Sequence, residues 1–204
     1  MESYFPIEKI TEFWEWFEEH EEKFRIITDP NGVRERLDNQ VLLFGIFSWE
    51  IGEGRNNTHT FTISPNGNDK MLKRSETIME YAPDLPKWEF YAAKPSKDWD
   101  FTFEMFDSFM MKRTVDAADW EYIIRMTPER KIKILIYTEN VDFLDMDDKL
   151  VAADLVINNI IGEADKINFV ESISFIPFVD EHQEMDIKMM PELQFEFDKI
   201  FYEE

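Results

Sequence analysis

Only three side chains in this sequence, His20, His59 and His182, have ordinary pKa values near neutrality, so general acid–base chemistry has few places to start. His20 falls on the glutamate-rich face of an N-terminal helical pattern, and His182 falls in the acidic stretch 179–187; solvation is the expected state of both. His59 opens a strand pattern in phase with Phe61 and Ile63. Its candidate carboxylate partner is Glu50 on the preceding strand, but alternation alone does not decide whether the two share a face. A base must come within hydrogen-bond reach of the proton it takes. His59 therefore reads first as a partly buried strand residue and only second as a base.

Carboxylates are more plentiful. Asp142, Asp145, Asp147 and Asp148 form the densest cluster. A calcium loop of the EF-hand type needs Gly at its sixth position and Glu at its twelfth, and this stretch has neither. Acids ahead of a helix are accounted for by capping and by the helix dipole, without a metal. Asp145, Asp147 and Asp148 remain candidates for contact with a cationic partner. Ser64-Pro65-Asn66-Gly67-Asn68 is the one loop with the look of a binding turn, because it joins a strand to a helix whose N-terminal N–H groups attract anions. It has one glycine and lacks both the GxxxxGK[ST] and the GxGxxG spacing. Asn-Gly also supplies the positive φ of a tight turn with no ligand at all. Glu50, His59, Ser64, Asn66 and Asn68 together make the candidate small-ligand site. No GxSxG, HExxH or kinase signature occurs. The absence of cysteine removes disulfides, thiolate nucleophiles and Cys-based zinc sites. No catalytic residue, metal or cofactor is expected from these patterns.

The elements that must position these residues follow from periodicity. Ile10, Phe13, Trp14, Phe17 and Phe24 recur at helical intervals within 7–27, with Trp16 at the edge of the stripe and glutamates opposite. A second helix is expected from about Val33, with Leu37, Val41 and Leu42 on its buried side, ending near Gly45. Phe47, Trp49 and Ile51 alternate as one strand, and His59, Phe61 and Ile63 as the next. Asn68 or Asp69 caps a helix running to about Tyr81, and Pro83 and Pro86 stop it. Trp88, Phe90 and Ala92 give another strand. After Pro95, Phe101, Phe103 and Met105 alternate like a strand, while Phe106, Phe109 and Met110 break the period. Trp120–Met126 and Lys131–Tyr137 form a hairpin about Pro128-Glu129-Arg130. A helix is expected from about Lys149 to Ile161, ended by Gly162, then a strand over 169–178 and a last helix from Met190-Pro191-Glu192 through Phe201.

Residues 47–94 and 120–178 thus repeat the order strand, strand, helix, strand. The expected class is α+β, with predominantly antiparallel sheet from two ββαβ-type units, N-terminal helices and a C-terminal helix. A single domain over 1–204 is preferred to two halves, 1–95 and 96–204, sharing an interface, because Trp99, Phe101, Phe103, Phe106 and Phe109 all call for burial and so argue against a flexible linker between them.

The chain of 204 residues is 44% hydrophobic and 15% aromatic, which requires a packed core and excludes a disordered chain. It carries 44 acidic and 22 basic residues, a net charge of −22. Residues 1–69 hold 14 acids and 6 bases, 70–133 hold 12 of each, and 134–204 hold 18 and 4, so a basic partner would meet the C-terminal third. Phosphate neutralisation needs a basic stripe, so no nucleic acid is expected, and no anionic membrane surface. With no signal-peptide pattern and no long apolar run, the expected location is cytoplasmic.

Phe13-Trp14-Glu15-Trp16-Phe17, Ile63-Ser64-Pro65-Asn66-Gly67-Asn68 and Ala82-Pro83-Asp84-Leu85-Pro86-Lys87-Trp88-Glu89-Phe90 form a pattern, continued by Gly162-Glu163 at a helix end and a strand reaching Pro177. The chain in this respect resembles an uncharacterised family of bacterial cytoplasmic proteins with a Phe-Trp-x-Trp-Phe helix and a strand opening Leu-Pro-x-Trp-Glu. The resemblance implies a bacterial source and carries over no catalytic residue. The leading expectation is a non-enzymatic, acidic protein-binding module, in one form an inhibitor or immunity-type protein covering a basic target. The rivals are a small-ligand binder or enzyme using the crevice near Ser64–Asn68, and a homodimer subunit.

Overall fold

The computed structural model describes residues 6–24, 32–54, 58–177 and 186–203, and the chain divides into two compact units, Met1–Lys94 and Pro95–Glu204. The class is α+β, with mostly antiparallel open sheets. Each unit contains one ββαβ element and its own core.

In the first unit the helices are α1 (Ile7–Phe24), α2 (Val33–Leu42) and α3 (Asp69–Met79), and the strands are β1 (Ser48–Glu53), β2 (His59–Ser64) and β3 (Trp88–Tyr91). The sheet order is β1-β2-β3, with β1 antiparallel and β3 parallel to β2. The aromatic stripe of α1 does what its spacing requires: Ile10, Phe13, Trp14, Phe17 and Phe24 are buried, and Phe13, Trp14 and Phe17 pack on Phe61 of the central strand. Burying each such Phe contributes about 2–3 kcal/mol. Trp14 Nε1 donates to the Ile78 carbonyl at 2.7 Å, so the indole's one polar atom is satisfied inside the core. Leu42 corrects its expected placement. Val33, Leu37 and Val41 are buried at intervals of four, which turns Leu42 about 100° away, and it is exposed together with Leu43 and Ile46.

The second unit holds β4 (Thr102–Phe106), β5 (Lys112–Asp116), β6 (Glu121–Met126), β7 (Ile132–Tyr137), α4 (Met146–Ile161), α5 (Glu163–Phe169), β8 (Val170–Phe175), β9 (Lys188–Met189), a 3₁₀ turn over Met190–Glu192 and α6 (Leu193–Phe201). β4 and β5 form their own hairpin, and the larger sheet runs β8-β7-β6-β9. As in the first unit, the hairpin's second strand takes the post-helical strand in parallel, β7 with β8. Ile132, Ile134 and Ile136 alternate inward onto Ala152, Ala153, Val156 and Ile157 of α4 in a shared core. Trp120, fully buried, donates from Nε1 to Asn140 Oδ1 at 2.9 Å, and Asn140 Nδ2 donates to the Asp116 carbonyl at 2.9 Å, which joins the end of β5 to the start of β6. Gly162 links α4 to α5 at φ 84°, a backbone angle that a side chain would strain. Among the described residues, no helix is long and apolar enough to cross a membrane.

Candidate functional site

The strand and turn residues singled out above do not converge. β1 and β2 pair Glu50 with Thr62 and Glu53 with His59, so the period of two puts Glu50 and His59 on opposite faces. His59 accordingly joins the α1 side of the sheet, its ring 5.4 Å from that of Trp88, and its N–H donates to the Lys87 carbonyl. Glu50 belongs to the other face with Thr60 and Thr62, where the parallel register also places Glu89 and Tyr91. There Thr58 Oγ1 and Tyr91 Oη both donate to Glu89.

The Ser64–Asn68 turn is occupied with its own geometry. Asn66 and Gly67 both take positive φ, and Asn68 N–H closes back on the Pro65 carbonyl at 3.2 Å, as a type I′ turn requires. Asn66 accepts from Ser48 Oγ at 2.5 Å and donates from Nδ2 to the Ile46 carbonyl, while Ser64 Oγ accepts the Asn66 N–H. Asn68 caps α3, accepting from the N–H groups of Lys70 and Met71 at 3.0 and 3.1 Å. Each of the three polar side chains thus serves the fold. His20 stacks on Trp16 and hydrogen-bonds its carbonyl through Nδ1, and His182 lies outside the described residues.

The aspartate cluster leads somewhere else. The helix begins three residues earlier than its apolar pattern suggests, so Asp145 is its cap and Asp147 and Asp148 lie within its first turn. Asp145 Oδ1 accepts the Asp148 N–H at 2.9 Å, and its Oδ2 accepts from Ser108 Oγ at 3.0 Å. Asp148 Oδ2 accepts the Ser108 N–H at 2.9 Å. Two of the three aspartates therefore hold the tip of the β4–β5 hairpin, 107–111, against the start of α4.

That tip is built around a buried charge. Asp107, 5% exposed, accepts the N–H groups of Phe109 and Met111 on Oδ1 at 2.9 and 2.8 Å, and accepts from Arg113 Nε on Oδ2 at 2.7 Å. Burial by itself would push its carboxyl up, but those hydrogen bonds and the Arg113 charge hold it below the usual carboxylate range. Asp145 is held low as well, chiefly by the Asp148 N–H and the Ser108 hydroxyl. The Met110 N–H donates to the Asp107 carbonyl and the Asp107 N–H to the Met111 carbonyl, with Met110 left-handed at φ 59°. Such a position suits Gly or Asn.

What this frame presents is apolar. Phe109 is 80% exposed, Met110 78% and Met111 54%, with Phe106, Phe143 and Met146 also exposed, which corrects the burial expected of Phe106 and Phe109: one ends β4 out of phase with its inward residues and the other lies in the turn beyond. Arg113 lies over the Phe143 ring, 5.7 Å from its centroid. The tip thus combines a hydrogen-bonded frame beneath with uncovered methionine and phenylalanine above. The reading from periodicity misses this site because β5 shows one apolar residue in five. The available signal is that Phe106, Phe109 and Met110 fall out of phase with the strand before them.

Two hollows among the described residues lie away from these side chains. A hollow of about 570 Å³ is lined by Glu12, Glu15, Trp16, Glu18 and Glu19, all from α1 and hence one helix surface. Another of about 10 Å³, beside Tyr122 and Leu135, has the room of a single water. Neither includes Glu50, His59 or any residue of the Ser64–Asn68 turn. No group of three or more His, Cys, Asp or Glu side chains among the described residues is placed to hold a metal. Compared with protein-family models, curated proteins and solved structures, the chain finds no significant match in any of the three.

Proposed function

We propose that this protein is a non-enzymatic, acidic module that binds another protein, and that the β4–β5 tip of its second unit is the contact. The observation that carries this reading is the exposure of Phe109, Met110 and Met111 on a hairpin end fixed by Asp107, Asp145 and Asp148. Leaving large apolar groups in water is unfavourable, and a monomer has no use for a preorganised cluster of them. Preorganisation does serve binding, since ordering has already been met when the partner arrives. A bacterial, cytoplasmic setting and an inhibitor or immunity-type role covering a basic target belong to the same proposal: the bacterial setting rests on the resemblance given above, the cysteine-free sequence fits the cytoplasm, and the net charge of −22 favours a basic target.

The test is a differential capture. Native lysate is passed over the wild-type chain and over the triple variant Phe109→Ser, Met110→Ser, Met111→Ser, each at low and at high salt. A stoichiometric protein retained by the wild type and lost by the variant is the expected result. Identical retention on both baits, with the variant shown folded by circular dichroism, would remove the tip from the function.

A further inference from the structure

We infer that the partner segment seated on this tip is cationic, with one or two large apolar side chains flanked by lysine or arginine. The inference rests on the docking reading above and adds the chemistry of what docks. Cations around the tip are already committed: Lys112 to Glu104, Arg113 to Asp107 and Lys149 to Asp142, each at 2.7 Å. Asp145, Asp147 and Asp148 have no cation among the described ion pairs, and Asp147 is exposed in the first turn of α4. The helix N-terminus offsets about half a unit of that charge, so a negative surplus remains beside Phe109, Met110 and Met111.

Charge of one sign beside an apolar contact speeds the encounter with the opposite sign and rejects its own. A second copy of this chain would bring the exposed Asp145 and Asp147 up against their own counterparts across a symmetric contact, which argues against self-association through this surface. Two methionines make the apolar part adaptable, because an unbranched thioether repacks around different shapes. Recognition here is set by apolar bulk and flanking positive charge more than by one fixed sequence.

The full chain, carrying ¹³C-methyl methionine, is titrated with three synthetic peptides of equal length. One alternates Leu with Lys in an amphipathic pattern, one replaces every Lys by Glu, and one keeps the Lys but replaces every Leu by Ser. The Leu/Lys peptide is expected to shift the Met110, Met111 and Met146 methyl signals and to leave Met71 and Met79 unmoved. The Leu/Glu peptide should bind at least about tenfold more weakly, and Asp147→Lys should weaken Leu/Lys binding by about threefold. Equal affinity for the Leu/Lys and Leu/Glu peptides would overturn the cationic partner while leaving the docking surface standing. Equal binding of the Ser/Lys peptide would assign the effect to the overall charge and overturn the inference too. Leu/Lys binding that survives Phe109→Ala with Met111→Ala, or leaves the tip methyls unmoved, would overturn the docking reading with it.

Discussion

Replacing Met110 by glycine should make the protein more stable. Met110 sits at φ 59° in a turn closed by its own N–H to the Asp107 carbonyl at 2.8 Å, and its side chain is 78% exposed. A left-handed conformation costs a residue with a Cβ about 1–2 kcal/mol. Glycine removes that cost but gives back about 0.5–1 kcal/mol through the greater freedom of its unfolded chain. Little packing is lost with so exposed a side chain, so the net gain is about 0.5–1 kcal/mol. The second hairpin supplies a matched control: Arg130 also has φ 59°, in a turn closed by Arg130 N–H to the Thr127 carbonyl and Thr127 N–H to the Lys131 carbonyl. Met110→Gly and Arg130→Gly should raise the urea midpoint by similar amounts at unchanged slope. Stabilisation by Arg130→Gly alone would mean that Met110 makes native contacts that its exposure does not reveal. No effect of either would refute the strain argument.

Two further outcomes follow from the same geometry. Asn68→Ala should cost about 1 kcal/mol in urea unfolding by leaving the Lys70 and Met71 N–H groups without their acceptor, whereas Asn68→Asp should retain most of the stability; equal losses would assign the position a role other than capping. Asp107 and Asp145 are both held below the ordinary value of 3.8, so the stability they confer is present above about pH 4 and lost as pH falls through their lower folded values. The Met110 and Met111 methyl signals should stay constant from pH 7 to about pH 4 and change only below it; a transition between pH 5 and 7 would show that other groups hold the tip.

Much of the fold is legible because long elements bury one face. The α1 stripe, the alternation of Ile132, Ile134 and Ile136, and the hairpin-helix-strand order of both units all follow from period alone. That the strand after the helix in each repeat, β3 and β8, pairs in parallel does not, because pairing partners are chosen by tertiary packing. α5 escapes notice for a different reason: its seven residues bury only Glu163, so there is no apolar stripe to detect. β5 likewise buries Val115 alone among Lys112, Arg113, Thr114 and Asp116. The start of α4 is hidden since its first turn is acidic and is recognisable only by the Asp145 cap.

Two of the turns with left-handed residues, 65–68 and 107–111, differ in a way that explains why the first belongs to the fold and the second carries the proposed contact. At Asn66-Gly67 the local chemistry and the backbone agree: both residues tolerate positive φ, and their polar neighbours are spent on Ser48, Ile46 and α3. The 107–111 tip breaks three rules together, with a buried carboxylate, a methionine in a glycine position and large apolar groups in water. Arg130 shows that a left-handed residue alone marks nothing, for it sits in an ordinary polar turn. It is the conjunction that matters. Sequences depart from local consistency mainly where function requires it, and strain persists only where surrounding structure enforces it. Here the enforcing groups are Asp107, Asp145 and Asp148, whose hydrogen bonds fix the segment that presents Phe109 and Met111.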